Sequence, residues 1–219
     1  MKKLQLIFLV GLVVLVWACK KNSSTDTTPA PTPTNTAVTV NSTPQYSFKV
    51  DGTTYTKVED GTNVVVDLSS NRSSGINPGD SGTAAYSSSF DNEAGSVTYF
   101  SVGKSILKFA PQCSGCIALY PTDAVFKGFF SPASYAYASG LGNGITLTWL
   151  DNSGTEWSTN MGSANQTGSA FTITDYKDMT ALGNYYVRIK ASFNCTLYNA
   201  MGQSKLLTDG VVVTDFENM

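Results

Sequence analysis

Residues 185–198, YYVRIKASFNCTLY, alternate from end to end. Tyr185, Val187, Ile189, Ala191, Phe193, Cys195 and Leu197 fall on one side, and Tyr186, Arg188, Lys190, Ser192, Asn194, Thr196 and Tyr198 on the other. A period of two held this long is the pattern of a β-strand with one buried and one wet face. At about 3.4 Å per residue the strand runs roughly 45 Å, so it must cross a whole sheet. The chain therefore has to supply neighbours of similar length. Residues 204–216 answer it across a hairpin loop at 199–203, with a bulge expected at Asp209-Gly210. Leu206-Leu207 and the valines at 211–213 leave the facing of that second strand open.

The rest of the chain from Tyr46 onward reads the same way. Segments 46–50 and 53–58 flank Asp51-Gly52, a two-residue hairpin signal of the type I′ kind. Glu59-Asp60-Gly61 then turns the chain into 63–68, and a polar loop fills 69–82. Strands are expected at 83–90, 96–102 and 104–110, the last two broken at Gly103. Short apolar pieces follow at 116–120 and 124–130. Residues 145–150 and 155–159 form a hairpin over Asp151-Asn152-Ser153-Gly154, and 170–175 is a further strand. Only 175–182, DYKDMTAL, reads as a helical turn. About ten to twelve short strands with frequent turn signals and no helical period define an all-β chain. The expected architecture is a single antiparallel β-sandwich or jelly-roll-like domain over 45–219.

Residues 1–18 do not belong to that domain. Lys2 and Lys3 precede an apolar run from Leu4 to Trp17, broken only by Gln5, which ends in Val16-Trp17-Ala18-Cys19. A basic start, a short apolar core and a small residue before the cut make a secretory signal peptide. The run of about 14 residues falls short of the ~20 that span a bilayer. Its end resembles the lipobox of bacterial lipoproteins, in which the cysteine that opens the mature chain is acylated. The resemblance implies lipidation at Cys19, and acyl chains together anchor a protein firmly, since each buried CH₂ contributes about 0.8 kcal/mol. Residues 19–44 hold almost no large apolar side chain, and Pro29, Pro31 and Pro33 stiffen them, so they are expected to be a disordered linker. Asp26-Thr27-Thr28 resembles an O-glycosylation acceptor motif of the Bacteroidota.

With Cys19 and the C-terminal hairpin both in view, YSFKVDGTTY, GITLTWLDNSGTEWST, SFNCTLYN and LLTDGVVV resemble small Bacteroidota lipoproteins of unknown function. In those, similar opening and closing motifs bracket a β-sandwich. The shared residues belong to turns and core, so the resemblance implies location and architecture: an outer-membrane lipoprotein, periplasmic or surface-exposed. Residues 113–142 have no counterpart in it.

Composition removes several chemistries. The chain has no histidine, which takes away Ser-His-Asp and Cys-His arrangements and histidine metal triads. Once Lys2 and Lys3 leave with the signal peptide, the 14 basic residues become 12 against 16 acidic. The only arginines are Arg72 and Arg188 and no basic stripe exists, so nucleic acid is not an expected partner. No metal and no cofactor are expected. Asp151, Asn152 and Glu156, or Asp175 and Asp178, lack the oxygen ligands calcium needs and suit turns instead.

Cys113 and Cys116 form a C-x-x-C without two further zinc ligands and without the helix of a redox motif. They are expected to be joined in a disulfide; the rival pairing takes Cys195 to one of them. Alternation places Cys195 inside the core as a free thiol. The four glutamates, Glu59, Glu93, Glu156 and Glu217, are scattered over turns, loops and the terminus. A carbohydrate-active enzyme using paired carboxylates is therefore the least expected function, and the chain is not expected to be an enzyme. Aromatic side chains are the remaining lead. Tyr135 and Tyr137 lie in a Gly/Ser-rich stretch with Phe129 and Phe130, and Trp149 and Trp157 flank one hairpin. Exposed rings on a β-sandwich can stack on pyranose faces, while the plainer expectation puts Phe129, Phe130 and Trp149 in the core. The expected function is a membrane-tethered, non-catalytic module that binds a glycan or surface protein; the alternative is a structural component of the envelope with no small-molecule site.

Overall fold

The structure, a computed structural model, describes residues 37–92, 98–140, 142–181 and 183–218. The segment expected to be a signal peptide, Cys19 and most of the expected linker lie outside the described residues. From Ala37 onward the chain forms one compact unit. Val40 is already buried, and Arg188 donates from Nη1 to the Ser42 carbonyl at 3.3 Å, so the last eight residues assigned to the linker belong to the folded domain.

The fold is all-β and antiparallel. Its strands are β1 (Gln45–Val50), β2 (Thr53–Val58), β3 (Val64–Ser73), β4 (Gly82–Asn92), β5 (Tyr99–Phe109), β6 (Ala133–Tyr135), β7 (Gly144–Leu150), β8 (Glu156–Ser158), β9 (Ala170–Ala181), β10 (Asn184–Tyr198) and β11 (Ser204–Glu217). They join in one eleven-stranded sheet ordered β2-β1-β11-β10-β8-β7-β5-β4-β3, with β9 and then β6 branching from β10. The long alternating strand is β10, and it is the junction. Its first eleven residues pair with β9 while Tyr198, at its far end, pairs with Ser158 of β8. From there the β8-β7-β5-β4-β3 limb folds back over the β10-β11-β1 limb, so the two layers of the expected sandwich are halves of one curled sheet.

The faces of β10 follow the alternation, with Val187, Ile189, Ala191, Phe193, Cys195 and Leu197 buried. Phe193 stacks on Phe100 of β5 with ring centres 5.8 Å apart, and Phe48 of β1 meets Phe100 at 5.2 Å; these contacts join the two limbs. The bulge on β11 also forms. Phe193 pairs with Gly210 and Cys195 with Leu207, so the register slips between them, and Asp209 there has φ 52°. The slip turns Leu207 fully inward and leaves Leu206 exposed.

Two local expectations are corrected, and a segment whose state the sequence leaves open takes one. Gly103 is not a turn: β5 runs through it, pairing with β4 on one side and β7 on the other. Residues 175–181 are not helical, because Asp175 to Ala181 continue β9 against β10, and pairing with so long a strand outweighs local preference. Residues 124–130, read from the sequence only as a short apolar piece, are helical as far as Phe129. They fall in α1 (Asp123–Phe129), which Thr122 caps by accepting from the Val125 amide, with Asp123 in the first turn and Lys127 in the last. Phe126 and Phe130 from this turn of helix fill one end of the curled sheet, against Tyr86 at 4.9 Å and Phe216 at 4.3 Å respectively.

Candidate functional site

The opposite end of the curl is closed by the β7–β8 hairpin. Its turn is built by Asp151, whose Oδ1 accepts from the amides of Ser153 and Thr155 at 2.9 and 3.0 Å. Oδ2 of the same carboxylate accepts from Trp157 Nε1 at 2.9 Å, and Lys205 Nζ stands 3.6 Å away. Burial pulls the Asp151 pKa up, but the hydrogen bonds from Ser153, Trp157 and Thr155 outweigh it and bring it down to about 2. The ammonium of Lys205 also lies 4.5 Å from the Trp157 ring centre and 5.3 Å from that of Trp149.

Trp149 and Trp157 face each other across the hairpin and both are buried. The plainer expectation of a core Trp149 holds, and the open-ring reading of the pair does not: Lys205 covers them from one side, and Phe48 and Tyr55 meet Trp149 at 5.7 and 4.8 Å. Tyr135 and Tyr137 are half-buried and tied down as well. Tyr135 donates to the Ser131 carbonyl at 2.6 Å, and the Tyr137 hydroxyl lies 3.1 and 3.0 Å from the carbonyl oxygens of Ala170 and Asn194. Burial raises the Tyr137 pKa far above its ordinary range. The four aromatics therefore form no shared platform: Tyr135 and Tyr137 serve the α1–β7 connection, and the tryptophans close the other end.

One of them does reach a cleft. Trp149 lines a depression of about 270 Å³ together with Tyr46, Thr54, Tyr55, Thr56, Lys57, Thr98 and Asn152. The volume falls just below the range of about 300–1,000 Å³ usual for small-molecule sites. Tyr55 is half-exposed and offers the ring surface that the buried Trp149 does not. Among the described residues Lys57 and Asn152 form no side-chain hydrogen bond or ion pair, so their polar ends are open to the cleft and solvent. Sequence reading missed Tyr55 because its strand looked like an ordinary hairpin arm; its exposed neighbours Thr54 and Thr56 were the available signal.

A second depression, of about 300 Å³, lies on the outer face of β3, β4, β5 and β7. Its lining is small and hydroxylated, with Ser69, Ser87, Ser101, Ser105, Thr146 and Thr148 around Gly103. Ser69 and Ser87 already bond each other at 2.7 Å. At one end of that face Tyr99 donates to Glu156 Oε2 at 3.0 Å, and burial with the adjacent Asp67 raises the Asp91 carboxyl.

Beneath this face lies a group that sequence reading missed. Lys104 of β5 is buried and gives its ammonium to the Phe129 carbonyl at the end of α1, between the rings of Tyr135 and Phe129 at 3.2 and 4.2 Å. Burial brings its pKa down to about 7. Phe100, Val102 and Lys104 share one parity, which was the signal; assigning a turn at Gly103 hid it.

Cys113 and Cys116 are bonded to each other, and Cys195 is buried and free. No group of three His, Cys, Asp or Glu side chains able to hold a metal stands among the described residues. No family model, no curated protein and no solved structure matches the chain.

Proposed function

We propose that the chain is a lipoprotein of the cell envelope, anchored through an acylated Cys19, whose β-domain is a non-catalytic module binding an extracellular ligand in the Tyr55–Trp149 cleft. The observation that carries the reading is the cleft's lining. It combines an accessible tyrosine ring with hydroxyl, amide and ammonium groups, of which Lys57 and Asn152 have no partner among the described residues. Aromatic surface beside fixed polar groups is how proteins grip a sugar or another small polar ligand. The strand geometry supports the orientation: the linker enters beside Asp215 and Arg188, while Tyr55 is level with Phe48, toward the other end of the β1–β11 pair. A tethered domain would present such a cleft away from its anchor.

Residues 37–219 carry their own core as one compact unit and can be screened on a glycan array. The expected result is binding to a defined glycan class that Tyr55→Ala and Asn152→Ala each weaken at least about tenfold, the equivalent of ~1.4 kcal/mol. Binding indifferent to both substitutions, or none on any glycan, returns the domain to the reading of a structural envelope component. The anchor is tested apart from the cleft, by acyl-chain mass on the Cys19 peptide and its loss in Cys19→Ser.

A further inference from the structure

The α1 end of the domain carries an apolar patch that the core does not use. Ile76 is 85 % exposed, Leu119 57 %, Tyr120 51 % and Ile117 39 %. The residues come from two loops, between β3 and β4 and between β5 and α1, and the loops are bonded to each other. The amides of Gly75 and Gly79 donate to the carbonyls of Ala118 and Cys116 at 3.2 and 3.0 Å. Gln112 reaches the Tyr120 carbonyl at 3.3 Å, and the Cys113–Cys116 disulfide closes the turn before Ile117. The backbone is thus satisfied and held, while the large side chains face water. Ile76 is the sole large apolar side chain in SSNRSSGINPGDSG, and it is left in water. Leaving such surface in water costs about 25 cal/mol per Å², and a contiguous patch of this kind marks an interaction site.

The position of the patch selects the occupant. Asn218, at the end of β11, donates to the Pro121 carbonyl and to Asp123 Oδ1 at 3.3 and 2.9 Å. Three residues back along β11, Asp215 is paired with the same Arg188 that holds Ser42. Lys177 holds the neighbouring Asn41 at 3.0 Å. The chain therefore leaves the domain toward Cys19 at the end that bears the patch, and the 17 intervening residues reach at most about 60 Å. Exposed Arg72 and Lys108 stand at the strand ends that feed the two loops. Two carboxylates at this end are held in place by neutral amides: Asp80 accepts from Asn77, through its amide at 2.9 Å and its side chain at 3.1 Å, and Asp123 accepts from Asn218. Apolar side chains with a tyrosine, flanked by cations, are the composition that settles into a lipid interface.

We infer that Ile76, Ile117, Leu119 and Tyr120 form a foot that rests on the surface of the bilayer to which the domain is tethered. The inference rests on the lipoprotein reading for the source of the tether and fixes which end of the domain faces the lipid. Its ligand is the lipid interface, a mixed surface of acyl chain and anionic headgroup.

The test supplies the tether artificially. Residues 37–219 with an N-terminal hexahistidine tag are held on vesicles of phosphatidylethanolamine, phosphatidylglycerol and a nickel-chelating lipid. An environment-sensitive fluorophore is placed by Leu119→Cys or, as a control, by Met201→Cys. Met201 is 77 % exposed in the β10–β11 loop at the far end, and the native Cys195 is buried. The expected result is emission that turns blue and rises several-fold at 119 on vesicles, is lost when Ile76→Ser and Ile117→Ser are added, and does not change at 201. Equal, solution-like emission at both positions overturns the inference. So does a change at 119 without vesicles that grows with protein concentration, which would assign the patch to a second copy of the chain. Because the tag replaces Cys19, failure here is distinct from an unacylated Cys19.

Discussion

Lys104 holds its ammonium 3.2 Å from the centre of the Tyr135 ring, inside the sheet and against the last carbonyl of α1. Burial lowers its pKa from 10.5 to about 7, which fixes the sign of a pH dependence. Below about pH 7 the lysine is protonated both folded and unfolded, and the desolvation cost is carried in full. Between pH 7 and about 10 the unfolded chain keeps a proton that the folded chain has released, so stability rises with pH. The buried Tyr46 and Tyr86 and the half-buried Tyr99 are pushed up to about 12 and act only above that window, where they lower stability as pH rises. Thermal melts from pH 6.5 to 9.5 should show Tm climbing for the natural chain and a flatter profile for Lys104→Met. Equal slopes would mean that the amine is hydrated.

Gly210 has a different constraint. A Cβ built there would lie 2.4 Å from the Phe193 ring and 2.6 Å from the Phe193 carbonyl oxygen. The bulge brings the two residues together, and the ring fills the space a side chain would take. Gly210→Ala should cost about 1–3 kcal/mol through overpacking, read as a lower urea midpoint at unchanged m. Gly52→Ala is the contrast: nothing lies within 4 Å of its Cβ, so any loss there comes from its φ of 78° and not from a clash.

The two limbs of the sheet are also joined by a buried hydroxyl pair, Ser88 of β4 and Thr214 of β11, 2.5 Å apart. Neither side chain is exposed. Thr214→Val leaves the Ser88 hydroxyl without its partner and should cost about 1–3 kcal/mol. Adding Ser88→Ala removes the orphaned group as well, so the double variant should recover part of that loss. A double variant as unstable as the sum of the two singles would show that the bond is not formed.

How far these features could be read in the sequence depends on the range of the interactions behind them. The faces of β10, the Asp51-Gly52 turn and the bulge near Gly210 are written in neighbouring residues, and their period and turn chemistry carry over into the fold. Residues 175–181 exchanged their expected state, and residues 123–129 took one that the pattern leaves open, for reasons outside themselves. The first is held as strand by β10, and the second is helical because Thr122 caps it and Phe126 finds a hole between Tyr86 and Tyr185. The cleft is the least legible part: Tyr55 and Trp149 stand 94 positions apart, and only the folding-back of the β7–β8 limb brings them together. Tyr135 and Tyr137 looked equivalent to Trp149 by composition, yet their hydroxyls are spent on carbonyls of their own neighbourhood.

Cys195 offers a measurement of how tightly that folded-back sheet is held. Its thiol is fully buried, and burial pushes its pKa up to about 12, so at pH 8 the folded chain presents almost no thiolate, the form that reacts. Cys113 and Cys116 are spent on each other. Iodoacetamide under non-reducing conditions should therefore leave folded residues 37–219 unmodified and add a single carbamidomethyl group, at Cys195, once urea unfolds the chain. Because Cys195 faces the core, opposite Leu207 of β11 and one residue past the pairing of β10 with β9, exposing the thiol requires opening the core between the limbs, and the labelling rate should rise with urea along the global unfolding curve. Labelling at low urea, ahead of the loss of tryptophan signal, would show instead that the β9–β6 branch opens on its own.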